Sequence, residues 1–202
     1  MLPALAWALL AFVCGSLPFS VWLPSIFRGQ DVRRFGDGNP GATNAFRAAG
    51  APLGLLALML DISKAAAPVG LAYANLADHG LGLAMVATAP VLGHAFSPFL
   101  RFRGGKAIAT AFGVWIGLTL WRISLPALLM ILFWKALIDE DGWVVMLTLA
   151  GILVVLFAWM PDPLLFTVLA GQGIILAWTH CADLRRRPHL HPWLGRWLLR
   201  KP

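Results

Sequence analysis

Seven apolar stretches run along the chain, at about 3–23, 51–74, 81–97, 107–122, 124–138, 143–160 and 163–181. A helix needs ~20 apolar residues, roughly 17–25, to cross a bilayer. The longer stretches meet that length, and the shorter ones are expected to tilt or to form buried half-helices. Turn chemistry separates them: Asp78-His79-Gly80, Trp121-Arg122, Asp139-Glu140-Asp141-Gly142 and Pro161-Asp162-Pro163. The pattern predicts an all-α integral membrane protein, a bundle of seven transmembrane helices in one polytopic domain over 1–202. The first stretch has no basic residue before it, the first cation being Arg28, and is expected to be a retained helix.

Composition agrees. Apolar residues make up 59% of the chain and charged residues 12%, about half the charged share of a soluble domain. The net charge of +7 points to lipid headgroups rather than nucleic acid, because the cations flank apolar stretches. Arg28, Arg33, Arg34, Arg47, Arg101, Arg103, Lys106, Lys135, Arg185, Arg186, Arg187, Arg196, Arg200 and Lys201 fall on one predicted side, with Arg122 opposite. The positive-inside rule then places the N-terminus outside and the C-terminus in the cytoplasm, with a basic tail from about 184 to 202. Trp121, Trp143, Trp159 and Trp178 fall near predicted span ends, as an interfacial aromatic belt would. Cys14 and Cys181, predicted at opposite ends of the bundle, make no metal-ligand spacing and are expected to be packing residues.

Two polar segments interrupt this pattern. One is Gly36-Asp37-Gly38-Asn39-Pro40-Gly41-Ala42-Thr43-Asn44-Ala45-Phe46-Arg47. The other runs from Gly93-His94 to Arg101-Phe102-Arg103-Gly104-Gly105-Lys106. Glycine lets backbone N–H groups approach a phosphate, and Lys or Arg supplies the counter-charge. Gly104 and Gly105 precede a predicted helix, whose N-terminal amides and dipole favour an anion that Lys106 could close upon. Gly38, Asn39, Gly41, Thr43 and Asn44 offer amides, hydroxyl and side-chain donors, and Arg47 a bidentate fork. Both segments fall on the predicted cytoplasmic side, which argues for one composite site. The bland alternatives are a basic membrane flank and a Pro- and Gly-shaped re-entrant turn. Asp61 and Lys64 lie at i and i+3 inside the second stretch, where an ion pair is either functional or a neutralised lysine. His94 and His180, the latter with Asp183, could move a proton or simply hold packing together.

These motifs resemble the bacterial integral-membrane acyl-phosphate:glycerol-3-phosphate acyltransferases. The first segment is similar to that family's G-S-G-N-x-G-A-T-N-x-x-R, with Asp37 at the serine. Gly15-Ser16-Leu17-Pro18, Asp61-Ile62-Ser63-Lys64 and Gly93 through Thr110 are also similar. The second half departs. The loop Asp139-Glu140-Asp141-Gly142 lacks the family's serine, and its H-x-x-N-I-x-R reads His180-Cys181-Ala182-Asp183-Leu184-Arg185-Arg186.

The resemblance implies transfer of a fatty acyl group from acyl phosphate to the 1-hydroxyl of glycerol 3-phosphate, giving lysophosphatidic acid for phospholipid synthesis. It implies a multi-pass protein of the bacterial inner membrane with a cytoplasmic active site, and no coenzyme A, acyl carrier protein, metal or other cofactor. Acyl phosphate, glycerol 3-phosphate or a related polyol, and membrane lipids are the expected partners. The oligomeric state stays open, and a monomer is compatible with the pattern. Gly38, Asn39, Gly41, Thr43, Asn44, Arg47, His94, Gly104, Gly105 and Lys106 are the expected phosphate-binding residues. Lys106 would also neutralise charge, His180 would help place the acceptor, and Asp37 or Asp183 could act as general base. The competing expectation is a relative that binds or moves an anionic lipid or phosphometabolite, or that acylates another polyol.

Overall fold

The computed structural model describes residues 1–191, so Arg196, Arg200 and Lys201 of the basic tail lie outside the described residues. The described chain is helical: α1 (Leu2–Ser16), α2 (Phe19–Arg28), α3 (Ala42–Asn75), α4 (Leu81–Ala95), α5 (Ile108–Thr119), α6 (Trp121–Leu137), α7 (Asp141–Trp159), α8 (Pro163–Thr179) and α9 (Cys181–Leu184). Each predicted apolar stretch holds a helix. Four runs are long and apolar enough to cross a membrane: Leu2–Arg28, Ala42–Asn75, Leu81–Leu100 and Asp141–Trp159. The helices Ile108–Thr119 and Pro163–Thr179 are apolar but shorter.

Two breaks shape the first half. Pro18 forces Leu17 into extended backbone (φ −63, ψ 118), so α1 ends and α2 restarts at Phe19. Val21 and Trp22 both donate to the Pro18 carbonyl, which leaves the Leu17 carbonyl free for another donor. Further on, the residues Ala42 to Arg47, which precede the apolar stretch predicted at about 51–74, form the first turns of α3. Gly50 then breaks that helix at φ 81 and ψ 176, a conformation open to glycine alone.

α4 is the centre of the bundle. It packs against α1, α3, α5 and α8 and buries Leu83, Val86, Ala87 and Val91. Its packing partners approach through small residues. A Cβ on Gly15 would lie 2.7 Å from the Pro90 carbonyl carbon. A Cβ on Gly117 of α5 would lie 2.8 Å from the Ala66 oxygen of α3. Small residues at such crossings let backbones touch where lipid gives no hydrophobic drive to associate. Leu5, Leu9, Leu129, Phe133, Phe157 and Ile174 point outward and are exposed, the pattern of a surface that meets acyl chains rather than water.

Trp121, Trp159 and Trp178 are exposed, whereas Trp143 donates its indole N–H to the Arg186 carbonyl at 2.8 Å. Cys14 is half-buried and sits midway along the Leu2–Arg28 run rather than at its end. Cys181 is exposed. It opens α9 outside the packed core and is not a packing residue.

Tertiary bonds gather the polar loops at one end. Lys106 bonds Asp37 and Asp183, the Asp139 N–H donates to the His189 carbonyl, and Glu140 pairs with His189 at 2.6 Å.

Candidate active site

The first polar segment is a self-bonded loop. The Asp37 carboxylate accepts the Asn39 N–H at 3.1 Å and the Asn44 amide at 2.9 Å. The same Asn44 amide donates to the Asn39 carbonyl, and its oxygen accepts Arg47 Nη1, both at 3.0 Å. Asn44 is buried and its polar atoms are spent within the loop, so it braces the loop instead of facing the cavity. Gly38 sits in left-handed backbone at φ 73, and Gly41 caps α3. Asn39, Thr43 and Arg47 line the cavity.

The second segment is held tightly to the end of α4. The Gly104 and Gly105 N–H groups donate to the Ala95 and His94 carbonyls at 3.1 and 3.2 Å. The amides expected to face an anion are thus occupied. What Gly104 supplies is close approach, because a Cβ there would overlap the His94 carbonyl. Arg101, Phe102 and Ala107 all take left-handed backbone (φ 54, 60 and 64), and such unfavourable conformations gather where function requires them. The N–H groups free to meet an anion begin at the first turn of α5, and Ala107, Ile108 and Ala109 line the cavity there.

Lys106 joins the two segments. Its N–H donates to Asn39 Oδ1 at 3.0 Å. Its ammonium lies 3.0 Å from Asp37 Oδ2 and 2.9 Å from Asp183 Oδ2. Burial alone would lower the lysine's pKa, but the Asp183 and Asp37 carboxylates outweigh it and hold the ammonium more firmly protonated than usual. Burial raises Asp37 in turn, and hydrogen bonds from Lys106, the Asn39 N–H and Asn44 outweigh it, leaving the carboxyl below its ordinary range.

Beneath the mouth lies a buried polar network. Lys64 donates to Asp61 Oδ1 at 2.7 Å, to the freed Leu17 carbonyl at 2.7 Å, and to His94 Nδ1 at 2.9 Å. Ser20 donates to the other Asp61 oxygen. An ammonium can only donate, so His94 Nδ1 accepts and its proton sits on Nε2. His94 and Asp61 both line the cavity. The proline break at Leu17–Pro18 therefore supplies the third acceptor for a lysine buried within the bundle.

His180 is fully buried. Its Nδ1 lies 2.8 Å from the Leu176 carbonyl and 3.1 Å from Thr179 Oγ1, and its Nε2 has no partner among the described residues. It packs beside Asp183 against Gly142 and does not line the cavity, so its place is behind Asp183 rather than facing a substrate.

The cavity itself holds about 500 Å³. Its mouth carries Asp37, Asn39, Thr43, Arg47, His94 and Lys106. Another part of its lining is apolar, formed by Leu58, Ile62, Phe112, Leu128, Ile131 and Val145. Lys135 and Asp141, paired at 2.7 Å, stand at the rim. Sequence reasoning did not assign Asp61, Lys135 or Asp141 to the site. An ionisable residue inside an apolar stretch was the available signal for Asp61.

Comparison with known proteins gives one answer. The glycerol-3-phosphate acyltransferase family model matches residues 5–188. The chain is 35% identical over 190 residues to the glycerol-3-phosphate acyltransferase of Lawsonia intracellularis, covering 92% of each chain. It is 39% identical over 185 residues to that of Pseudomonas aeruginosa PAO1, covering 88% of this chain and 92% of the relative. Its fold is similar to PlsY (YgiH), an integral membrane glycerol 3-phosphate acyltransferase, in the glycerol 3-phosphate form. The TM-score is 0.82 at 27% identity, over 96% of this chain and 98% of that one. The lysophosphatidic acid form gives a TM-score of 0.80 at 26% identity, over 97% and 99%. With two motif segments folded into one polar cavity among apolar helices, the chain belongs to the integral membrane glycerol-3-phosphate acyltransferase family.

Proposed function

We propose that this protein transfers a fatty acyl group from acyl phosphate to the 1-hydroxyl of glycerol 3-phosphate, producing lysophosphatidic acid and inorganic phosphate. The observation that carries the reading is the two-part cavity. Its mouth holds Arg47, Lys106, His94 and the start of α5, and its wall is apolar. A phosphate with an attached polyol suits the first part and an acyl chain the second. At about 500 Å³ the space lies within the ordinary range for small-molecule sites.

In the reaction the acceptor oxygen bonds to the acyl carbon while the bond from that carbon to the phosphate oxygen breaks. The hydroxyl proton passes to a phosphate oxygen or to Asp37 or Asp183. Arg47 and Lys106 neutralise phosphate charge. The His94 Nε2–H is a fixed donor for an oxygen in the cavity, and Gly104 and Gly105 hold the loop that carries Lys106. Gly38, Gly41 and Asn44 shape the opposite loop, and His180 backs Asp183. The chemistry needs no cofactor.

The one domain spans the bilayer of the bacterial inner membrane seven times, with the N-terminus outside. The gathered cations of the site end support a cytoplasmic orientation for the cavity mouth. The short α5 and α8 would lie tilted or within the bundle.

A second reading has its own support. Lys106 is already paired with two carboxylates, which favours a different polyol acceptor, or a protein that binds or moves an anionic lipid. An acceptor panel separates these. Purified protein given palmitoyl phosphate acylates glycerol 3-phosphate far faster than glycerol if the phosphate is recognised. Equal rates on the two refute phosphate recognition.

A further inference from the structure

Lys106 shares the cavity mouth with Arg47, and it is doubly engaged. Asp37 comes from the loop before α3 and Asp183 from α9, yet both carboxylates reach one ammonium, at 3.0 and 2.9 Å. The sequence pattern that this chain resembles has a neutral serine and a neutral asparagine at these positions. Two acidic replacements, far apart in the chain, therefore converge on one atom.

The charges show what this does to an incoming phosphate. With neutral residues, Lys106 and Arg47 would offer two positive charges to a phosphate dianion. Here Asp37 and Asp183 offset them, so these four groups sum to zero where two positive charges would otherwise stand. If it takes Lys106, two carboxylates that share one small space are left without their cation, and like charges so placed resist joint ionisation.

Several of the surrounding charges are already paired with one another, while Arg185 and Arg186 follow Asp183 in the chain. On α6 and α7, Lys135 and Asp141 pair with each other at 2.7 Å. Beneath the mouth, Asp61 pairs with Lys64, whose third neighbour is His94. Arg33, on the outer side of the mouth, is bound by Asp31. Arg101 and Arg103 also face that outer side. His180 is sealed behind Asp183.

We propose that Asp37 and Asp183 form a proton-coupled latch on Lys106: glycerol 3-phosphate draws the ammonium away from the two carboxylates, and that pair takes up one proton as it does so. The inference rests on the reading of the cavity as a glycerol 3-phosphate site. The latch makes acceptor affinity depend on pH in a way that neutral residues would not. It also keeps the lysine engaged while no phosphate is bound.

Calorimetric titration of the full-length protein with glycerol 3-phosphate tests this, run at about pH 5 and about pH 8 in two buffers of different ionisation enthalpy. The ligand's own phosphate titrates near pH 6, so Asp37→Asn/Asp183→Asn, which keeps side-chain size, serves as the reference for protons the ligand itself exchanges. The wild type should take up more protons than the double variant at about pH 5, and the excess should fade by about pH 8. Kd at about pH 8 should be tighter in the double variant by about tenfold or more. Each single variant, as a control for folding, shows an intermediate excess. A wild type that takes up no more protons than the double variant at about pH 5 overturns the latch, because the exchanged protons then sit elsewhere. Acyl transfer assayed in parallel is a separate readout. A folded wild type that binds with proton uptake but transfers nothing leaves the latch standing and removes the enzyme reading.

Discussion

Replacing Lys64 by methionine tests the buried network that holds the floor of the site. The Lys64 and Asp61 side chains are each 2% exposed. Methionine keeps the length of the side chain and removes the ammonium. Asp61 then keeps only Ser20 as a named partner, while the Leu17 carbonyl and His94 Nδ1 lose their donor. Breaking one side of a buried ion pair costs about 3–5 kcal/mol, and each stranded acceptor about 1–3 kcal/mol before relaxation. Protonation of Asp61 and rotation of His94 recover part of that, so the net loss is set at about 3–5 kcal/mol. For a chain of this size each kcal/mol shifts Tm by roughly 2–4 °C, which gives a fall of about 6–20 °C. Intrinsic tryptophan fluorescence against temperature, in detergent, reads it. The double variant Asp61→Leu/Lys64→Met removes both charges and should recover at least about 2 kcal/mol of the loss, because paired apolar replacements avoid the buried orphan charge. A drop below about 3 °C in Lys64→Met, or no recovery in the double variant, would refute the claim that these charges depend on each other.

Other consequences are as direct. Gly104→Ala places a methyl group into the His94 carbonyl, and the loop must move. Acyl transfer should fall at least about 100-fold, as small misplacements do, with a Tm change of only a few degrees, measured on the same preparation. Asp37 has a folded pKa below its ordinary value. Its contribution to stability is therefore complete above the unfolded carboxylate pKa of about 3.9 and is lost as pH falls through the lower folded value. The Tm gap between wild type and Asp37→Asn should accordingly be present at pH 7 and close below about pH 4. Ile131→Trp fills the apolar wall. Losing contact with two or more methylenes, at about 0.8 kcal/mol each, should lower the rate on palmitoyl phosphate relative to octanoyl phosphate by about tenfold or more.

Much of the helical layout could be read from the apolar stretches and the turn residues between them, because lipid imposes a length on every spanning stretch. The break at Leu17–Pro18 and the kink at Gly50 were less visible. Proline and glycine mark such sites, but only the packing of α3 against α2 shows that the freed Leu17 carbonyl serves Lys64. In the site, Asn39, Thr43, Arg47 and Lys106 could be named from residue type and spacing. Gly104 and Gly105 misled as amide donors, since glycine spacing does not distinguish a phosphate cradle from close packing against a neighbouring carbonyl. The tautomer of His94 depends on a lysine 30 residues away. The double pairing of Lys106 depends on loops brought together only by the fold.

The central claim is acyl transfer from acyl phosphate to glycerol 3-phosphate. It is tested most directly by following lysophosphatidic acid mass and phosphate release together, in lipidic mesophase, for the wild type and Lys106→Ala. The account predicts equal amounts of the two products from the wild type and loss of both in the variant. Folded wild-type protein that makes no lysophosphatidic acid, or a variant that makes as much, would contradict it.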